Sequence, residues 1–196
     1  MPLQFARAPT HGSQLVSEGL TRLSARRSPL TARSINFSTL QLSEPLAVYD
    51  LQADAIGGGA GLESAIATGF RYLVHAGGSY VAAAEVMVDE QGSATLLTNL
   101  NYGPYVEASA QGLVQVAKLQ LVTSGSYEVR FLRFSAIYLV ALWLKSESGA
   151  PDIVYPLAPA PSVLQAEHPY FVDDFLAAVR ELAQQRAANK EGPMVP

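Results

Sequence analysis

The chain contains no cysteine. That absence excludes disulfides, thiolate nucleophiles and zinc–thiolate sites together. Charged residues are sparse, at 15% of the chain, and the three histidines are His11, His75 and His168. None of them forms a His-x-x-x-His or His-x-His pair, so no histidine-based metal motif is present. No apolar run reaches the roughly 20 residues that a membrane-spanning helix needs. The longest, Phe134–Leu144 (FSAIYLVALWL), is flanked by Arg133 and Lys145. Its β-branched and aromatic content reads as a buried strand.

Catalytic signatures are missing as well. The glycine-rich stretch 55–61 (AIGGGAG) follows an apolar run, where a phosphate loop would stand. It lacks the Lys-Ser/Thr ending of a Walker loop, and its spacing fails the Gly-x-Gly-x-x-Gly dinucleotide pattern at Leu62 and Ser64. A hinge or connecting loop is expected there. No Gly-x-Ser-x-Gly elbow occurs, and no histidine lies near a suggestive serine. The pairs Asp89/Glu90 and Asp173/Asp174 fall in a turn and at a helix start, where solubility and the helix dipole account for them. The reading therefore leans to a non-enzymatic protein with no cofactor and no catalytic residue.

What is present is a core. With 49% hydrophobic residues in 196, the chain supports one ordinary domain plus an arm. Charge divides the sequence. Residues 1–43 hold Arg7, Arg22, Arg26, Arg27 and Arg33 against Glu18 alone, whereas the remainder is acidic. An acidic body disfavours nucleic acid as a partner. The expected division is a basic, Ser/Thr-rich arm over 1–44 with a short helix near 13–25, followed by a single domain over 45–196. The first residues lack the apolar segment of a secretory signal, and a cytoplasmic location is expected. The Arg- and Ser/Thr-rich, acid-poor composition also matches an organellar transit peptide.

Periodicity supplies the elements. Strands are expected at 46–51, 69–76, 79–90, 93–100, across 126–146 as one long bent strand or two strands with the bend or bulge at Ser135, and at 152–158. Gly77-Gly78 marks a hairpin. Pro104 opens a helix over 104–120, whose packing face (Val106, Ala110, Leu113, Ala117) is small enough to lie close to a sheet. Pro169 opens a second, with Phe171, Phe175, Val179 and Leu182 as its buried stripe. Pro156–Pro161 (PLAPAP) lacks flanking basic residues and reads as a rigid connector. The fold class is α+β: a mainly antiparallel sheet of about five to seven strands, two main helices packed over one face, and a partly extended N-terminal arm. The element order is similar to that of profilin-like and cystatin-like sheets, a likeness that implies no function.

One constellation carries chemistry. With a two-residue turn at Gly77-Gly78, His75 would pair with Tyr80, Leu73 with Ala82 and Phe70 with Glu85. Alternation then places Phe70, Tyr72, Val74, Ala83 and Glu85 on one face. Glu85, inside AAAEV, is the only ionisable residue of that face and needs a partner, with Arg130 or Arg133 in reach. Glu85, Tyr72 and Arg130 are thus the candidate ligand-binding residues. Arg22, Arg26 and Arg27 of the arm, with Tyr138 and Trp143 of the long strand, are the candidate contact residues.

Two functions follow. The first is a binding or structural module acting through another protein or further copies of itself, through the arm or a sheet edge. The second is a small-molecule-binding domain or minor enzyme with a pocket between the sheet and helix 104–120.

Overall fold

Ten strands form one mixed sheet in the computed structural model, which describes residues 3–24 and 40–190. They are β1 (Leu3–Phe5), β2 (Gln41–Leu42), β3 (Leu46–Asp50), β4 (Ile66–Ala76), β5 (Ser79–Val88), β6 (Ala94–Asn101), β7 (Tyr127–Phe134), β8 (Leu139–Ser146), β9 (Ile153–Pro156) and β10 (Tyr170–Phe171). Their order across the sheet is β10-β9-β8-β7-β3-β4-β5-β6, with β1 beside β7 and β2 beside β4. β1–β7 and β3–β7 are parallel, and the other pairings of the sheet are antiparallel.

The helices are α1 (Gly12–Ser24), α2 (Ala53–Gly57), α3 (Pro104–Val116), α4 (Gln120–Thr123) and α5 (Val172–Lys190). The class is α+β with a mostly antiparallel sheet, as the sequence implies. The counts differ: ten strands replace five to seven, and three substantial helices (α1, α3, α5) replace two. The extra strands β1, β2 and β10 have two or three residues each, too few to show a period of two. Residues 3–24 contribute β1 and α1 to the same sheet, α1 burying Val16 and Leu20 against Tyr72, Val74, Ala82 and Ala84.

Helices cover both faces, not one. α1 packs on the β4–β6 half of one face, and α5 with α2 packs on the β7–β9 half of that face, around Leu132, Phe134, Trp143 and Val154. α3 and α4 cover the other face, against Leu73, Ala83, Phe131 and Leu142. The consecutive buried pairs Leu73-Val74 and Ala82-Ala83 are what burial on both faces requires. The fit of α3 is close: a Cβ on Gly112 would stand 2.6 Å from a Leu157 methyl carbon.

Two further expectations change. The stretch 134–144 is not one strand. β7 ends at Phe134, a 3-10 turn spans Ser135–Ile137, and Tyr138 takes a left-handed conformation before β8. β8 lies between β7 and β9, so it is not a sheet edge, and Trp143 is buried at 3% exposure. The glycine stretch is not wholly irregular either. Residues 53–57 form α2, and the Gly57 carbonyl accepts a hydrogen bond from Gln184 Nε2, seating α2 on α5. Phe171 lies in β10 and is 45% exposed, outside the buried stripe of α5, which is Phe175, Leu176, Val179 and Ala183.

Candidate ligand-binding cleft

The β4–β5 hairpin turns at Gly77 and Gly78, both with positive φ, and pairs His75 with Tyr80. A bulge between Val74 and His75 then shifts the ladder by one residue. Leu73 faces Ala83 rather than Ala82, and Arg71 rather than Phe70 faces Glu85. Because the side-chain period is two, that single residue separates the expected constellation. Glu85 points to the α3 face, while Phe70 and Tyr72 point to the α1 face.

On the α3 face, Glu85 is held between two arginines. Arg71 Nη1 donates to Glu85 Oε1 at 2.6 Å, and Arg133 Nη1 donates to Oε2 at 2.7 Å. Arg133 also forks Asp50, through Nε (2.7 Å) and Nη2 (2.9 Å). Of the two arginines the sequence offered as partners for Glu85, Arg133 is the one that reaches it. Arg71 is 2% exposed, and its guanidinium lies 4.4 Å from the centre of the Phe131 ring. Burial lowers the pKa of Arg71 against the opposing pull of Glu85, whereas the Asp50 hydrogen bonds raise that of Arg133. Both stay cationic, since an arginine pKa begins above about 12.

Arg71, Glu85, Arg133 and Phe131 floor a cavity of 240 Å³ lined also by Asn99, Asn101, Gly103, Tyr105 and Val140. It lies between the sheet and the start of α3. Neither asparagine amide hydrogen-bonds to another described residue. A second cavity of 330 Å³ shares Tyr105, Arg133 and Val140 with the first and continues past Ser135, Tyr138 and Leu139. Tyr138 is 79% exposed, and the Tyr105 hydroxyl lies 3.1 Å from its carbonyl oxygen and 2.9 Å from that of Pro159. The two cavities form one cleft, polar at the inner end and apolar at the outer.

The remaining candidates lie elsewhere. Tyr72 is buried against α1, with its hydroxyl close to Gly12 and without a hydrogen-bond partner, and burial pushes its pKa up to about 12. Arg130 projects from the opposite side of β7, where it bonds Glu128 at 2.5 Å. Its guanidinium lies 4.7 Å from the ring centres of both Tyr49 and Trp143. Arg130 and Trp143 thus meet on the α5 face, beside a cavity of 480 Å³. Asp152 accepts from Trp143 Nε1, Lys145 Nζ and the Ser146 N–H there. Arg22 is exposed at the end of α1 and pairs with Glu18. Arg26 and Arg27 lie outside the described residues.

Among the described residues no cluster of three or more His, Asp or Glu is placed to hold a metal. No described helix is long and apolar enough to cross a membrane. No protein-family model, curated protein or solved structure matches the chain. Arg71 is the residue that sequence reasoning missed. Its signal was its place in GFRYLV, a lone cation in a buried strand one alternation step from Tyr72.

Proposed function

We propose that the protein is a small-ligand-binding module and that the cleft between α3 and the β4–β5–β7–β8 face is its binding site. The observation that carries this reading is the Arg71–Glu85–Arg133 network at the cleft floor, backed by Asp50 on Arg133. Burying an ion pair brings little net stability compared with apolar packing. Charges concentrated beneath an open, largely preformed cavity with convergent polar groups are the usual signature of a binding site. Among the described residues no activated nucleophile or acid–base pair accompanies them, and the proposal is binding rather than turnover. A fragment screen followed by NMR on the full chain tests it. Binders are expected to perturb Asn99, Asn101, Tyr105 and Val140. A set of binders that perturbs only other surfaces overturns it.

A second reading has its own observation. β6 ends the sheet, has eight residues and carries no charge, and among the described residues the backbone of its outer edge pairs with another segment only at its start, beside the Thr10–Ser93 bridge. Leu96 and Met87, paired across β6 and β5, are 53% and 44% exposed. Edge strands without charge or proline invite strand pairing. Self-association through β6 would join two sheets edge to edge. Light scattering should then show a dimer that Leu96→Lys disperses, and a monomeric native chain overturns this reading.

A further inference from the structure

The hydrogen-bond donors at the cleft floor are unequally used. Arg133 spends Nε and Nη2 on Asp50, Nη1 on Glu85, and Nη2 again on Thr68 Oγ1 at 3.3 Å. Arg71 has the same five N–H donors, yet among the described residues its side chain hydrogen-bonds Glu85 alone, and its Nε is buried without a partner there. Both carboxylates are already committed: Asp50 to Arg133, and each Glu85 oxygen to a different arginine. Arg71 therefore shares half of one carboxylate in a site that excludes water from its Nε. A buried donor without an acceptor is costly, but Nε is closed to a ligand as it is to water. The Arg71 donors open to one are those of Nη2, which have no partner among the described residues and are not sealed from the cavity that Arg71 lines.

The start of α3 stands over the same cavity. Gly103, Tyr105 and Val106 line it, and Pro104 occupies the first helical position. The first N–H groups of a helix have no carbonyl within it and carry the positive end of its dipole. The Val106 N–H is used by the Gly103 carbonyl at 3.1 Å, which leaves the Tyr105 N–H among the open donors of that turn. Unfilled arginine donors and a helix start converging on one cavity favour an anionic acceptor. The outer cavity, past Tyr138, Leu139 and Val140, offers apolar surface for the rest of the molecule.

We infer that the ligand of this cleft is a carboxylate with an apolar body, its carboxylate received by Arg71 and the first turn of α3 and its body lying along Tyr138–Val140. This rests on the ligand-binding reading of the cleft. The probes are 3-phenylpropionate and its uncharged counterpart 3-phenylpropanamide, titrated into the full chain by NMR. The acid should move the Asn99, Asn101 and Tyr105 signals saturably, with the amide at least about tenfold weaker, as expected of charge-assisted against neutral hydrogen bonds. Arg71→Met should abolish that preference. Should that variant fail to fold, Tyr138→Ala must weaken both probes alike while keeping the acid ahead. Equal affinity of acid and amide overturns the carboxylate and leaves the cleft as a binding site. Failure of the acid to move the cleft signals overturns the inference. If the fragment set also leaves the cleft untouched, the binding reading falls with it.

Discussion

Arg71 and Glu85 face each other directly across β4 and β5, with Nη1 and Oε1 2.6 Å apart and both side chains nearly excluded from solvent. Their opposition depends on the bulge beside His75, one hairpin turn away. Removing either charge leaves the other buried and under-compensated. Glu85→Gln is expected to destabilise the fold by roughly 3–5 kcal/mol, because Gln still cannot neutralise Arg71. The paired change Arg71→Met with Glu85→Leu should cost far less than either single change. Urea unfolding of Glu85→Gln, the two single changes and the pair checks this, and a stabilised Glu85→Gln would contradict it.

How much of this was legible can be followed along the hairpin. Gly77-Gly78 announced the turn, and the His75–Tyr80 pair follows from it. Glu85 stood out as a carboxylate inside an alanine run. The bulge left no mark, because an inserted residue in an all-apolar stretch changes neither composition nor hydropathy. Two-sided burial was written in Leu73-Val74 and Ala82–Ala84, yet the helix over the β4–β6 half of the second face could be placed only by recognising α1 as part of the body. The sequence suggested a pocket between the sheet and helix 104–120, and a cavity lies between the sheet and the start of α3. Its arginine was not legible, since alternation without the bulge turns Arg71 to the wrong side.

Tyr72 offers a test by pH. Its pKa rises from 10.0 to about 12, chiefly through burial and secondarily through Glu44. A group whose folded pKa exceeds its unfolded value contributes stability below the unfolded pKa and loses it as pH rises through the folded one. The native chain should therefore lose about 1 kcal/mol between pH 9 and 11 that Tyr72→Phe does not lose. Near neutral pH Tyr72→Phe should be close to neutral, because the hydroxyl has no partner to give up. Denaturant midpoints at the two pH values separate these effects.

Tyr138 holds a left-handed conformation at φ 56° while 79% exposed. A non-glycine residue there costs roughly 1–2 kcal/mol. Tyr138→Gly should raise thermal stability and weaken binding of apolar probes in the outer cleft. Calorimetry and a probe titration on the same variant check both halves, and a stabilised variant with unchanged probe affinity would remove Tyr138 from the site.

Trp143 is the chain's one tryptophan, and it donates through Nε1 to Asp152 at 2.9 Å. Asp152→Ala leaves the indole N–H, Lys145 and the Ser146 N–H without that acceptor. A loss of about 1–3 kcal/mol is expected. Tryptophan emission follows the unfolding, and probes that bind beside α3 should leave it unchanged, since Trp143 lies on the other face of the sheet.

The binding reading stands or falls on the side-chain amides of Asn99 and Asn101, which line the cavity with Arg71 and Glu85 and have no partner among the described residues. Their NMR signals, followed while fragments are titrated into the full chain, give the most direct measurement. If the cleft is the site, these signals move saturably and together with Tyr105, while signals around Trp143 stay fixed. Binders that shift residues elsewhere and leave both asparagines unmoved would contradict it.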